Sequence, residues 1–358
     1  MKWILKFIYY FYVGLTFLLS KKIFIILTIA MFISLIQVSS GYQEELIQKE
    51  QEMMFETKKS EIKYYNEEGQ NTKYGETTAI SELIDCYQEG IDTNSIPNNI
   101  SKYIAELNQL YKQDNAHFSF LYQDLFSGFT VSYNEETPIF TASTIKAPAM
   151  IYLYEMASQD KIDLNERLTY TKEFYNGGSG ILKNKEVNTT YTIDELIKYS
   201  IINSDNIAYS MLMNRFTREK TLTFWQGLGT KQIFTLNTIW GVTSAKDASI
   251  YMKELYKFSK ENEEYGSKLM EYFKNTEWKL ITNKNGEFNT ANKGGWSDNA
   301  IHDVAIVFDN NPYTLVIMSN LGETEYNYLF QQTSNLIGNL HYEYWKYKTE
   351  TCNNISQY

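Results

Sequence analysis

The chain has 358 residues and a net charge of −10 with a pI near 5.1, and its 43% hydrophobic content is enough to bury a substantial core in one to three domains. The acidic balance argues against a nucleic-acid partner, because proteins that bind phosphate backbones present a basic face. The three histidines, His117, His302 and His341, are far apart, and there is no His-Glu-x-x-His helix or Cys-x-x-Cys pair, so neither a metal site nor a cofactor is expected.

Residues 1–22 contain an apolar stretch, Trp3 to Leu19, broken by Lys6 and Gly14, which reads as a cytoplasmic or interfacial segment. A full span there would return the rest of the chain to the cytoplasm. Ile23 to Val38 is a mostly apolar run behind Lys21 and Lys22, and residues 23–40 read as a membrane insertion signal with the N-terminus inside and the remainder outside. Two outcomes stay open: a single-pass anchor at the cell membrane, or a signal peptide cut near Val38-Ser39-Ser40 that leaves a secreted protein. Residues 41–115 turn polar with scattered helical periodicity, and a partly helical stalk is expected, with a partner-binding helix as the alternative. Cys86 and Cys352 are expected as two unpaired thiols, a single link between them being the alternative for an exported chain.

A domain is expected over residues 116–348, followed by a tail, 349–358. From His117 the pattern alternates, FSFLYQDL and GFTVSYN around Phe126-Ser127-Gly128, which predicts two strands joined by a tight turn. They lead to TASTIKAPAMIYLYEMA, where Ser143 and Lys146 stand three residues apart and share a face of a helix beginning near Ser143, with Thr141 as its cap. A serine hydroxyl is a weak nucleophile, and a lysine amine of lowered pKa one turn away activates it. The same spacing occurs at Ser60/Lys63 and Ser158/Lys161, so the pattern alone is not specific. Gly177, Gly178 and Gly180 mark sharp turns. Thr192 and Glu195 form a capping-box pattern for a helix ending near Asn203, so Ser204-Asp205-Asn206 falls in a loop before the next helix, capped by Ser204 or Asp205. Lys293-Gly294-Gly295 precedes the strand signals from Val304 and Tyr313, and an amphipathic helix is expected after Glu323.

The order Ser143/Lys146, Ser204-Asp205-Asn206, Lys293-Gly294-Gly295 resembles the class A beta-lactamase-like, penicillin-recognising serine hydrolases, over about Phe118 to Trp345. The resemblance implies an α/β (α+β) fold: an antiparallel sheet flanked by helices, plus a helical subdomain carrying Ser204 and Asn206. It implies Ser143 as nucleophile, Lys146 as base and Ser204 as proton relay. Asn206, Lys293, Gly294 and Gly295 would contact substrate, and the backbone N–H groups of Ser143 and Trp296 would form the oxyanion hole. The implied partner is a small-molecule or peptide substrate, either a beta-lactam or a cell-wall peptide. A second Ser-Asp-Asn at Ser297 to Asn299, directly after the third motif, is read as a hairpin connection, and Lys284-Asn285-Gly286 as a turn.

Two departures from the family pattern matter. Glycine at 294 removes the hydroxyl that helps hold a substrate carboxylate. No Asp or Glu lies between Glu219 and Asp247, where relatives carry the deacylating glutamate, and Glu219 itself falls on the helix before that loop. The expectation is an extracytoplasmic serine acyl-enzyme that is a poor beta-lactamase, with a D,D-peptidase-like cell-wall enzyme or a non-turnover surface binding or scaffold protein as alternatives.

Overall fold

The sheet starts earlier in the chain than the alternation after His117 suggests. The computed structural model describes residues 62–67, 85–113, 117–231, 240–322 and 327–355, all within the unit Met54–Tyr358. The apolar stretches Trp3 to Leu19 and Ile23 to Val38 lie outside the described residues, and among those described no helix is long and apolar enough to cross a membrane.

Strand β1 (Lys63–Asn66) and helix α1 (Asn98–Gln113) both come from the expected stalk. This corrects that expectation: Ile100, Ile104, Leu107 and Tyr111 of α1 are buried in the domain core, so the domain begins before residue 116 and includes α1 and β1. The polar face that suggested a stalk is simply the solvent side of an amphipathic helix.

Next come the two strands expected from alternation, β2 (Phe118–Asp124) and β3 (Phe129–Tyr133), then β4 (Ile139–Phe140). A 3₁₀ turn over Ala142–Ile145 runs into α2 (Lys146–Ser158), where Pro148 is tolerated because the first turn needs no N–H from it. Thr141 does not cap this helix with its side chain; its hydroxyl instead accepts from the Gly241 N–H. The pair β5 (Arg167–Thr169) and β6 (Thr190–Thr192) precedes α3 (Ile193–Ile202), which opens on the expected capping box between Thr192 and Glu195. After it come α4 (Asn206–Arg215), capped by Asp205, and α5 (Arg218–Gly227). Strand β7 (Val242–Thr243) pairs with β4, and α6 (Ala245–Glu261) and α7 (Tyr265–Lys274) lead to β8 (Thr290–Ser297), β9 (Ala300–Val307) and β10 (Tyr313–Ser319). Residues 297–300 turn between β8 and β9, as read for the second Ser-Asp-Asn.

The main sheet runs β1-β3-β2-β10-β9-β8, antiparallel throughout. Alternation along its strands feeds two cores. Phe118, Phe120, Tyr122, Leu315 and Ile317 pack under α1 and the C-terminal helix α8 (Asn327–Ile355), whereas Leu121, Val304, Ile306, Val316 and Met318 pack under α2 and α6. Helix α8 runs through residues 349–355, so most of the expected tail is helical.

Cys86 and Cys352 form a disulfide across a sequence separation of 266, which overturns the expectation of two free thiols. Neither cysteine has local sequence context that predicts the other. What brings them together is α8, whose buried Lys348 donates to the carbonyls of Cys86 and Glu89 while Tyr87 stacks on Trp345 at 6.2 Å. Replacing Cys86 by Ser is expected to lower stability by about 2–4 kcal/mol. Thermal melts with and without reductant check this: reductant should lower the midpoint of the wild type and leave that of the variant unmoved.

Candidate active site

The site is built on two strained turns and one close approach. Ala142, immediately before Ser143, has φ +41°, and Ser204 has φ +51°. Non-glycine residues occupy this left-handed region only where surrounding structure holds them, and here both flank the same cleft.

Ser204 is held by what lies behind it. The Asp205 carboxylate accepts four backbone N–H groups: Ile207 and Ala208 at the start of α4, and Ile181 and Leu182 across the loop, at 2.6–2.9 Å. Gly180 at φ +117° makes room for it, since a Cβ there would come within 2.3 Å of that carboxylate. The glycine cluster therefore lets one loop wrap another.

Lys146 is fully buried and gathers the motifs. Its Nζ lies 3.1 Å from Ser143 Oγ, 2.7 Å from Ser204 O, 3.3 Å from Ser204 Oγ and 2.7 Å from Asn206 Oδ1. Burial holds its pKa well below the usual lysine value; the Lys293 charge adds to this and Asp205 opposes it. Tyr209 and Trp240 wall the ammonium, with ring centroids at 5.9 and 5.6 Å, a contact that favours the charged form.

Lys293 enters from β8. Its Nζ donates to Ser204 Oγ at 3.0 Å and to the Gly294 carbonyl at 2.8 Å. Burial pulls its pKa down to about 7, against the attraction of Asp303. The buried Asp303 carboxyl is itself pushed up to about 6, although it accepts from Leu280 N, Ile281 N and Asn292 Nδ2. Ser143, Lys146, Ser204, Asn206 and Lys293 thus meet in one hydrogen-bonded group, with Ser204 Oγ between two lysines.

Gly295 lets β8 reach the Ser143 turn: a Cβ there would lie 3.0 Å from the amide nitrogens of both Ser143 and Thr144 and 3.1 Å from Thr141 O. Opposite Gly295 on β9 stands His302. Ser319 N–H donates to its Nδ1, so its Nε2–H donates to Phe140 O at 2.7 Å, and burial pulls its pKa down to about 4, keeping it neutral. The ring therefore ties the strand before Ser143 to the sheet. Trp296 follows Gly295 with its indole turned outward, donating to Gly322 O. Glu219 is exposed in the first turn of α5, and among the described residues no cluster suited to a metal occurs.

Ala142, Tyr209, Trp240, Trp278, His302 and Asp303 were not singled out by sequence reasoning. A signal was available for His302 and Asp303, as polar residues within an apolar strand run. The others belong to the site only through packing.

A six-stranded antiparallel sheet with helices on both faces, and a serine–lysine turn set against its edge strand, is the beta-lactamase/transpeptidase fold. Residues 99–345 match the model of the Beta-lactamase enzyme family, and the chain belongs to that family. A mutant of PBP-A, solved as an acyl-enzyme complex with penicillin G, is similar at 19% identity with a TM-score of 0.60, covering 69% of this chain and 100% of that one. Beta-lactamases from Chitinophaga pinensis (18% identity, TM-score 0.58, 68% and 98% covered) and Sphaerobacter thermophilus (16%, 0.56, 69% and 95%) share the fold.

Because backbone atoms surround Gly295, Gly295→Ala should cost about 1–3 kcal/mol and slow reaction of Ser143 with a serine-directed probe about tenfold or more. Gly177→Ala, in open space, should leave both melting temperature and labelling rate unchanged.

Proposed function

We propose that this chain is an extracytoplasmic serine hydrolase that forms an acyl-enzyme on Ser143 and releases it slowly, acting on an amide, cyclic amide or ester of the kind found in beta-lactams and cell-wall peptides. The observation that carries the reading is the 3.1 Å contact between Ser143 Oγ and the buried Lys146 Nζ. A lysine whose pKa burial holds well below the usual value is suited to general-base work.

In the proposed reaction, neutral Lys146 takes the Ser143 hydroxyl proton as Oγ attacks the substrate carbonyl. Charge on the carbonyl oxygen is met by the backbone N–H of Ser143 and of Trp296, the pair that Gly295 allows to converge. Collapse of the tetrahedral species breaks the bond to the leaving group. Ser204 Oγ, within reach of both lysines, delivers the proton that group requires and recovers one from Lys146 or Lys293. Asn206 Oδ1 is occupied by Lys146, which leaves Nδ2, 3.4 Å from Asn176 Oδ1, as the donor for a substrate carbonyl.

Slow release is supported by the absence of any Asp or Glu between Glu219 and Asp247 and by the aromatic wall of Tyr209 and Trp240 at Lys146. An oxidising, extracytoplasmic setting is supported by the Cys86–Cys352 disulfide, and a membrane anchor by the apolar run Ile23 to Val38.

Intact-mass analysis of the full-length protein with a penicillin, over minutes to hours, is expected to show a persistent adduct on Ser143. Penicillin loss without adduct would show a working release route. Failure of every serine-directed probe to react would leave a non-turnover binding protein. Lys146→Met should cut labelling about 10²–10⁴-fold with the circular dichroism spectrum retained. In the wild type the base must be neutral, and Lys146 loses its proton well below the ordinary 10.5. Labelling by an uncharged probe should therefore rise with pH along a limb placed well below that value.

A further inference from the structure

Position 294 is glycine for a reason that lies sixteen residues earlier in the chain. A Cβ on Gly294 would stand 1.9 Å from Cε3 and 2.2 Å from Cζ3 of Trp278, so the six-membered edge of the indole already fills the space that a side chain here would take. Any larger residue at 294 requires Trp278 to leave.

The segment that carries Trp278 is tied down on both sides. Glu277 N–H donates to Ile202 O at 3.1 Å, and Asn203 Nδ2 donates to Glu277 Oε1 at 2.6 Å, which joins it to the loop of Ser204. Leu280 N–H and Ile281 N–H both donate to Asp303 Oδ2 at 2.8 Å, which joins it to the sheet beside Lys293. Trp278 is thus held between the Ser204 loop and strand β8, with 38% of its surface still exposed.

That corner offers an anion little beyond the remaining N–H of Lys293. The hydroxyl is missing, and two N–H groups of Lys293 are committed to Ser204 Oγ and Gly294 O. The chain's arginines, Arg167, Arg215 and Arg218, all lie in the helical part, where Arg167 binds Thr190 and Arg215 pairs with Glu166. A carboxylate placed against the six-membered edge of the indole, which carries no donor, loses hydration on that side with little in return, whereas an apolar group gains by burial there.

The geometry points to Trp278 as the residue that sets substrate class: its indole closes the subsite beside Lys293 to a carboxylate, so the site takes esters or amides that are uncharged and apolar at that end. This rests on the acyl-enzyme reading of Ser143. It distinguishes the natural substrate from a peptide with a free C-terminal carboxylate next to the scissile bond.

The test compares benzylpenicillin with its methyl ester as acylating agents of the full-length protein, read by intact mass and by the labelled peptide. The wild type should react with the ester at least as fast as with the free acid. Trp278→Ala should shift the acid-to-ester rate ratio toward the acid, and Trp278→Ala combined with Gly294→Thr should raise it about tenfold or more, the worth of a restored hydrogen bond to a charged group. If the double variant does not fold, the single variant decides. A wild type that prefers the acid tenfold or more, or a ratio unchanged in the folded variants, overturns the proposal while Ser143 labelling itself stands. Labelling by a small uncharged fluorophosphonate with no adduct from either penicillin in any variant also overturns it. No adduct from the fluorophosphonate either overturns the acyl-enzyme reading, and this proposal with it.

Discussion

The burial of the Lys146 ammonium is the constraint around which the rest of the cleft is arranged. A lysine with no exposed surface needs its N–H groups satisfied, and no carboxylate is bonded to it. Instead its neighbours are neutral oxygens: the Ser143 hydroxyl, the Ser204 carbonyl and hydroxyl, and the Asn206 amide. Neutral acceptors satisfy the group without holding its proton firmly, which leaves a base instead of an ion pair. In this arrangement Ser204 is left-handed, with both its carbonyl and its hydroxyl turned toward one nitrogen.

The charges around it are graded. Asp303, beneath β8, is the carboxylate that attracts Lys293, and Asp205 is occupied by four backbone N–H groups. Neither acid is bonded to Ser143 or Lys146. Aromatic rings line the other side: Tyr209 and Trp240 stand at Lys146 and Trp278 at Gly294. The slow acyl release and the apolar substrate end proposed above both rest on that wall.

Support for the cleft extends to the opposite face of the sheet. Helices α1 and α8 cover the side away from Ser143, and the disulfide joins the segment before α1 to the last turns of α8. Between these layers β9 and β10 hold His302, whose neutral ring links Ser319 to Phe140 just ahead of the Ser143 turn. Strand β1 and helix α1 are therefore part of the scaffold on the far side of the sheet from Ser143, where composition alone suggested a stalk.

Much of this was legible in the order of residues. Motif order, the strand pair after His117, the capping box at Thr192 and the hairpin at Ser297 to Asn299 depend on short-range rules of spacing, turn chemistry and alternation, which act within a few residues. Glycine at 294 was legible as a loss, but its partner was not. Trp278 reaches Gly294, Cys86 reaches Cys352 and Tyr111 enters the core only because separate elements pack together, and no local periodicity encodes which distant side chain fills a given space. Local chemistry placed Ser143 and Lys146 one turn apart; packing across the fold decided what surrounds them, because excluded volume and desolvation are properties of assembled surfaces.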